Sequence, residues 1–178
     1  MVNRAKLFMH KLQCNPDFDW DTILPSSTLT AWRNICKQIN SSPAIPIKRS
    51  VGNRDDTYNL VAFVDSSGSM VGVVLYLYNV TTSENNFLLA RNKIVGKDLA
   101  NKTIPSLELT SINLGAETLV DTYRELTGDS AVLPVKITGC FIFSDSLVCL
   151  NWLNLHTVKM DKMKNKSVYV MNLSLIHI

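Results

Sequence analysis

Two short apolar runs stand out along the chain, because each of them ends in an aspartate. The first run covers residues 61–66 and contains Asp65, and the second covers residues 141–146 and contains Asp145. A run that is apolar at successive positions is typical of a central strand that is buried on both faces. Carboxylates at the ends of such strands lie where open α/β sheets keep their functional sites. If the two strands are neighbours, both aspartates lie at one edge of the sheet.

Patterns of apolar and β-branched residues predict further strands after residue 55. The predicted ranges are 59–65, 70–78, 86–91 and 136–144. The first three strands follow one another with short polar connections, and we therefore expect them to form an antiparallel meander. A long helical segment separates them from the fourth strand.

Apolar residues at helical spacing predict two helices in the same region. The first begins near Pro105, which suits the first turn of a helix, and the second covers residues 146–155. Glu108 lies one turn before Ile112 on the inward stripe, where a carboxylate is costly unless a charged group meets it. The order β-β-β-α-β-α predicts an α/β fold. The inward faces are predicted to carry Ile112, Ala116, Leu119, Val120 and Tyr123 in the first helix, and Leu147, Leu150 and Trp152 in the second.

Residues 1–55 differ from the rest, since they carry several prolines and two tryptophans around a single predicted helix. This helix is expected to begin after Ser26 or Ser27, either of which suits an N-cap. Residues 45–47 should be extended, because the residue before a proline avoids the helical region. We therefore expect a mostly helical and irregular appendage. The stripe of its helix is Ala31, Trp32, Ile35, Cys36 and Ile39.

Composition places the chain among folded proteins without a membrane span. The 178 residues are 46% hydrophobic and 19% charged, which suits one domain and an appendage. The longest apolar stretches fall short of the roughly 20 residues that cross a bilayer, and the first residues lack the apolar core of a signal peptide. The four cysteines have no metal-type spacing and are expected to be reduced, mostly buried thiols. The net charge of +3 is compatible with nucleic-acid contact without indicating it.

Three carboxylates, those of Asp65, Glu108 and Asp145, form the candidate site. Converging carboxylates repel one another, and a hard divalent cation such as Mg²⁺ or Mn²⁺ removes that repulsion. Two such ions can cleave a phosphodiester without a nucleophilic side chain. A structural alternative is that Asp145 and Ser146 only cap the following helix.

Blocks spread along residues 5–172 resemble the BEL/Pao retrotransposon polyprotein. The blocks are Trp20-Asp21, Ile45 to Arg49, Phe63 to Ser67, Ala90 to Val95, Ile104 to Leu109, Phe143 to Ser146 and Leu150 to Leu153. The resemblance implies a connection segment after a reverse transcriptase at residues 1–55, and a ribonuclease H-like domain with a mixed five-stranded sheet at residues 56–172. It further implies an intracellular protein, in the cytoplasm or in a retroelement particle.

The activity implied by this resemblance is hydrolysis of the RNA strand of an RNA·DNA hybrid. Asp65, Glu108 and Asp145 correspond to the first three metal-binding acids, which would hold two Mg²⁺ or Mn²⁺ ions. The implied partners are the hybrid and the reverse transcriptase domain of the same polyprotein.

The chain also departs from the family pattern. Ser106 replaces an arginine and Ser66 an alanine, and residues 173–178 resemble the translation of a sequencing adapter. The fourth acidic position, the final strand and the final helix would all lie beyond the end of the chain. We therefore expect an incomplete domain whose cleavage is weak or absent.

Two alternatives compete with the nuclease. One is a non-catalytic remnant that binds nucleic acid through Lys93, Lys97, Lys102 and the lysines of residues 159–166. The other is a von Willebrand A-like adhesion module, in which Asp65, Ser67 and Ser69 would hold Mg²⁺. That module requires a helix directly after the motif, whereas residues 71–78 favour a strand.

Overall fold

The computed structural model describes residues 2–48, 52–53, 55–96, 103–128 and 135–160, the last six of these for their backbone only. The chain forms two compact units, residues 1–46 and residues 47–178. The boundary between these units comes before the end of the predicted connection segment at residue 55.

The first unit contains two helices, α1 (Val2–Gln13) and α2 (Ser26–Asn40). The Phe8 and Trp32 rings stack with their centroids 5.5 Å apart, and Arg4 donates a hydrogen bond of 2.7 Å to Gln38. The prediction of a single helix was wrong, because no N-cap residue or proline precedes Val2, where α1 begins. The predicted serine N-cap was also wrong. Pro25 occupies that position, and no side chain there caps the helix.

The second unit is built on a four-stranded sheet within the described residues, as the four predicted strand ranges require, whereas the sheet implied by the family resemblance has five strands. Its strands are β1 (Thr57–Ser66), β2 (Met70–Asn79), β3 (Asn85–Ile94) and β4 (Lys136–Phe143). The spatial order is β3-β2-β1-β4, with β1, β2 and β3 antiparallel and β4 parallel to β1. The predicted meander and the mixed α/β class are confirmed.

Two helices accompany the sheet, α3 (Ile104–Thr127) and α4 (Leu147–Met160). Helix α3 packs on one face, where alternate residues of β1 and β2 are buried. Gly115 lets the helix approach closely, since a Cβ atom there would lie 2.5 Å from Val64 Cγ1. The buried apolar residues of the two strands on this face are Tyr58, Leu60, Ala62, Val64, Val71, Val73, Leu75 and Leu77.

The prediction that β1 is buried on both sides was wrong for the face opposite α3. Phe63 is 45% exposed there, although it stacks on Phe143 at 5.1 Å and meets the edge of Tyr76 at 6.0 Å. In the part of the chain that the structure describes, α3 is the helix that packs extensively on the sheet, and it lies on the other face. The apolar run therefore reflects an aromatic surface rather than a second core.

The inward faces of the two helices also differ in part from prediction. In α3, Ile112 and Leu119 are buried as expected, but Tyr123 is 37% exposed. In α4, Leu150 is buried, whereas Leu147 and Trp152 are 62% and 43% exposed. Small residues take the inward positions instead, because their volume allows close packing. These residues are Ser111, Gly115, Thr118 and Thr122 in α3 and Cys149 in α4.

The four cysteines are free thiols as predicted, but only Cys149 is buried. Cys14 is exposed, while Cys36 and Cys140 are half-buried. Burial raises the pKa of the Cys140 thiol above its ordinary value. Across the described ranges, the helices are too short or too polar to cross a membrane.

Candidate metal-binding edge of the sheet

Asp65 lies near the end of β1 and Asp145 follows β4, and these two strands lie side by side. Phe63 of β1 pairs with Phe143 of β4 in parallel register, and each aspartate comes two residues later. Parallel strands end at the same edge of a sheet, so the predicted placement of both aspartates at one edge is confirmed. Both side chains are exposed, and Asp65 Oδ1 accepts a hydrogen bond of 2.7 Å from the Ser66 N–H.

Glu108 reaches the same edge from α3. Its Oε2 atom accepts a hydrogen bond of 2.5 Å from the hydroxyl of Ser146, the residue directly after Asp145. The inward carboxylate is therefore met by a hydroxyl at the N-terminus of α4, whose backbone dipole favours negative charge. Among the described residues this hydroxyl is a neutral partner of Glu108, and the charged partner stays a prediction.

Ser146 has a second bond that defines the start of α4. Its Oγ atom accepts a hydrogen bond of 3.3 Å from the Cys149 N–H, as an N-cap side chain does. The capping alternative is therefore correct for Ser146, whereas Asp145 has no such bond among the described residues. Cys149 Sγ lies 4.0 Å from Glu108 Oε2 and donates to the Pro105 carbonyl at 3.2 Å.

The three predicted carboxylates share an edge but do not form one ligand set. By alternation along β1, Asp65 lies on the face opposite the one that α3 covers, whereas Glu108 comes from α3. In the described residues, histidine, cysteine, aspartate and glutamate side chains form no group of three or more that could hold a metal. In donor chemistry the three carboxylates fit a hard divalent cation, since each supplies only oxygen.

The turn between β1 and β2 excludes the adhesion-module alternative. Ser67 Oγ accepts the Met70 N–H at 3.1 Å, and strand β2 begins at Met70 instead of the required helix. Ser66 Oγ is buried and has no hydrogen-bond partner among the described residues. An alanine, which the resemblance leads us to expect at this position, would leave no such unpaired hydroxyl.

Of the predicted basic surface, Lys93 lies within the described side chains. It lies in β3 and is exposed. Lys97, Lys102, residues 161–166 and the adapter-like residues 173–178 lie outside the described residues, and no side chain is described for residues 159 and 160. The site residues that the sequence did not single out are Ser146, as a partner of Glu108, and Cys149. A serine directly after a strand-end aspartate is the signal that could have indicated the first of them.

Comparison with solved structures finds a protein of similar fold. A foamy viral protease-reverse transcriptase in complex with dsDNA superposes with a TM-score of 0.54 at 9% identity, over 99% of this chain and 33% of that one. The chain thus spans about a third of that protein's length. A second foamy viral protease-reverse transcriptase complex gives a TM-score of 0.36 at 9% identity, over 86% and 28% of the two chains. The catalytic domain of human endonuclease V gives 0.26 at 12% identity, over 67% and 48%.

Comparison of sequences identifies the family. No curated protein matches the chain. A family model described as "Pao retrotransposon-like RNaseH-like domain" matches residues 1–146, which include all three carboxylates and Ser146. The match covers far more than half of the chain, and the protein therefore belongs to the family of Pao retrotransposon-like RNaseH-like domains.

Proposed function

We propose that this domain cleaves the RNA strand of an RNA·DNA hybrid with two Mg²⁺ or Mn²⁺ ions, to which Asp65, Glu108 and Asp145 would each supply carboxylate oxygens although they form no single ligand group within the described residues. The observation that carries the proposal is the parallel pairing of β1 with β4, which brings Asp65 and Asp145 to one edge. The bond between Glu108 and Ser146 brings the third carboxylate to the same edge. Membership of the retrotransposon family supports the choice of substrate.

Each residue has a separate role in this proposal. Asp65 and Asp145 are exposed and offer carboxylate oxygens from the ends of rigid strands. Glu108 offers a carboxylate from a helix, with one oxygen already oriented by Ser146. When bound, divalent cations supply the Lewis acidity that activates water and stabilises the leaving oxygen of a phosphodiester.

The partners follow from the same proposal. The foamy viral protein is described in complex with dsDNA, and the substrate proposed for this chain is a hybrid duplex. Residues 1–55 would form the connection to a reverse transcriptase domain of the same polyprotein, and residues 56–172 would form the nuclease domain. The site of action would be inside the cell, in the cytoplasm or in a retroelement particle.

Substitution of single carboxylates tests the proposal. Asp65→Asn, Glu108→Gln and Asp145→Asn should each weaken Mn²⁺ binding, measured by calorimetry, and reduce Mg²⁺-dependent cleavage of a labelled RNA·DNA hybrid. Glu125→Gln is the matched control, because Glu125 is an exposed glutamate farther along α3. This control should behave as the wild-type chain in both assays.

The same assays separate the nuclease from its rival. Cleavage that is unaffected by all three substitutions would refute the assigned metal site. A wild-type chain that binds the hybrid but does not bind Mn²⁺ would instead support a non-catalytic nucleic-acid-binding domain. The assays include hybrid binding, measured by fluorescence anisotropy, so that this outcome is visible.

A further inference from the structure

We infer that Ser146 is a positioning residue that orients the Glu108 carboxylate for the cation, an inference that rests on the proposed function. Ser146 is only 6% exposed and lies between the end of β4 and the start of α4. Its hydroxyl touches no substrate in this proposal and acts only through Glu108. The bond between them, from Ser146 Oγ to Glu108 Oε2, is 2.5 Å long.

The hydrogen-bond arrangement determines the direction of this bond. A serine hydroxyl has one proton to donate and lone pairs to accept with. Ser146 Oγ accepts the Cys149 N–H at 3.3 Å, so its proton remains for the carboxylate. The N-cap bond thus leaves the hydroxyl proton directed towards Glu108. One oxygen atom, Ser146 Oγ, therefore bonds to both the start of α4 and the carboxylate.

The two carboxylate oxygens of Glu108 differ in their contacts. Oε2 is held by Ser146 and approached by Cys149 Sγ at 4.0 Å, while these contacts leave Oε1 for another partner. Partners that hold a metal-binding carboxylate in one orientation strengthen metal binding, and their loss typically costs about 10- to 100-fold in affinity. We expect a loss of this size when the hydroxyl of Ser146 is removed.

Three substitutions separate orientation from helix capping. Ser146→Thr keeps the hydroxyl for both bonds, and Ser146→Ala removes both. Ser146→Gly removes the donor to Glu108 but retains most of the helix-capping preference, because glycine is accepted at N-caps. Ser111→Ala is the matched control, since Ser111 is a buried serine in α3 whose hydroxyl donates to the backbone carbonyl of Glu108.

A metal-free double-mutant cycle tests the contact itself. The denaturation midpoints of Ser146→Ala, Glu108→Ala and the double variant are compared with that of the wild-type chain. If the two side chains interact, the double variant loses less stability than the sum of the single losses. Additive losses would overturn the inference without involving any cation.

Mn²⁺ affinity, measured by calorimetry on the folded variants, tests the positioning role. Ser146→Gly and Ser146→Ala should bind Mn²⁺ about 10- to 100-fold more weakly, whereas Ser146→Thr and Ser111→Ala should bind as the wild-type chain does. Wild-type affinity in Ser146→Gly would overturn the positioning role while leaving the proposed function intact. Failure of the wild-type chain to bind Mn²⁺ would refute the proposed site, and the positioning role with it.

Discussion

Gly115 is the residue where α3 comes closest to the sheet. A Cβ atom at this position would lie 2.5 Å from Val64 Cγ1 and 3.8 Å from Ile142. Gly115→Ala should therefore destabilise the fold by about 1–3 kcal/mol through overpacking. The gain in helix propensity, about 1 kcal/mol, offsets only part of this cost. Urea denaturation measures the difference.

Gly72 provides the control for this prediction. A Cβ atom there would lie 3.7 Å from the Arg91 carbonyl, which is an ordinary van der Waals distance. Gly72→Ala should change the free energy of unfolding by less than about 1 kcal/mol. If Gly115→Ala were as stable as Gly72→Ala, α3 would not approach the sheet as closely as described.

The hydrogen bonds of Asp19 make the stability of the first unit depend on pH. The hydroxyl of Thr22 and the backbone N–H of Asp21 both donate to its Oδ1 atom and lower the pKa of Asp19 below its usual value of 3.8. A lowered pKa means that these bonds stabilise the fold above the usual pKa and that the effect is lost as the pH falls through the folded value. The affected window is therefore below about pH 4.

Thr22→Val should raise the pKa of Asp19 towards its usual value, because the largest cause of the shift is the Thr22 hydroxyl. A pH titration followed by NMR on the Asp19 carboxyl measures this shift. Thr30→Val serves as the control, since the Thr30 hydroxyl donates to the Ser26 carbonyl in α2. An equal shift in both variants would contradict the assigned cause.

At the scale of elements, the aromatic face of the sheet gives a prediction about β1. Phe63 is 45% exposed, and it contacts Phe143 and Tyr76. Phe63→Ala should cost about 2 kcal/mol, less than the roughly 3–5 kcal/mol of a fully buried phenylalanine. Chemical denaturation gives this value directly.

Leu60, on the other face of the same strand, is the comparison. It is fully buried, so Leu60→Ala should cost about 2–5 kcal/mol and exceed the cost of Phe63→Ala. If Phe63→Ala were the more costly variant, the aromatic face would be covered in solution. The two variants therefore measure how far each face of β1 contributes to the core.

Strands were more predictable than helix faces, and the reason lies in the residues that are buried. In β1 and β2, large apolar side chains alternate with period two, which is visible in the sequence. In α3, the buried positions include Ser111 and Thr118, whose hydroxyls donate to carbonyls of their own helix at 2.7 Å. Such satisfied hydroxyls pack inward at little cost, but a hydrophobic pattern does not reveal them.

The candidate site also combines features that the sequence predicts with one that it does not. Asp65 and Asp145 were predictable, because strand ends and parallel neighbours place carboxylates at a common edge. The contact between Glu108 and Ser146 was not, since it depends on how α3 and α4 meet. A pairwise contact between residues 38 positions apart follows from tertiary packing rather than from local spacing.

At the scale of the whole molecule, the two units differ in their cores. Neither α1 nor α2 contains a buried residue, whereas the described buried residues all lie between Tyr58 and Leu150. Isolated helices of 12 and 15 residues are marginal in water without a packed core. The second unit also contains all three carboxylates of the candidate site.

Separate expression of the two units tests this asymmetry. Residues 47–178 should unfold in a cooperative thermal transition, because their sheet and α3 share one core. Residues 1–46 should show partial helicity that melts gradually, because they bury too little apolar surface to offset the entropy of ordering the chain. Circular dichroism on both fragments, with the full chain as reference, distinguishes the two behaviours. A cooperative transition in residues 1–46 would contradict this prediction. So would the absence of a cooperative transition in residues 47–178.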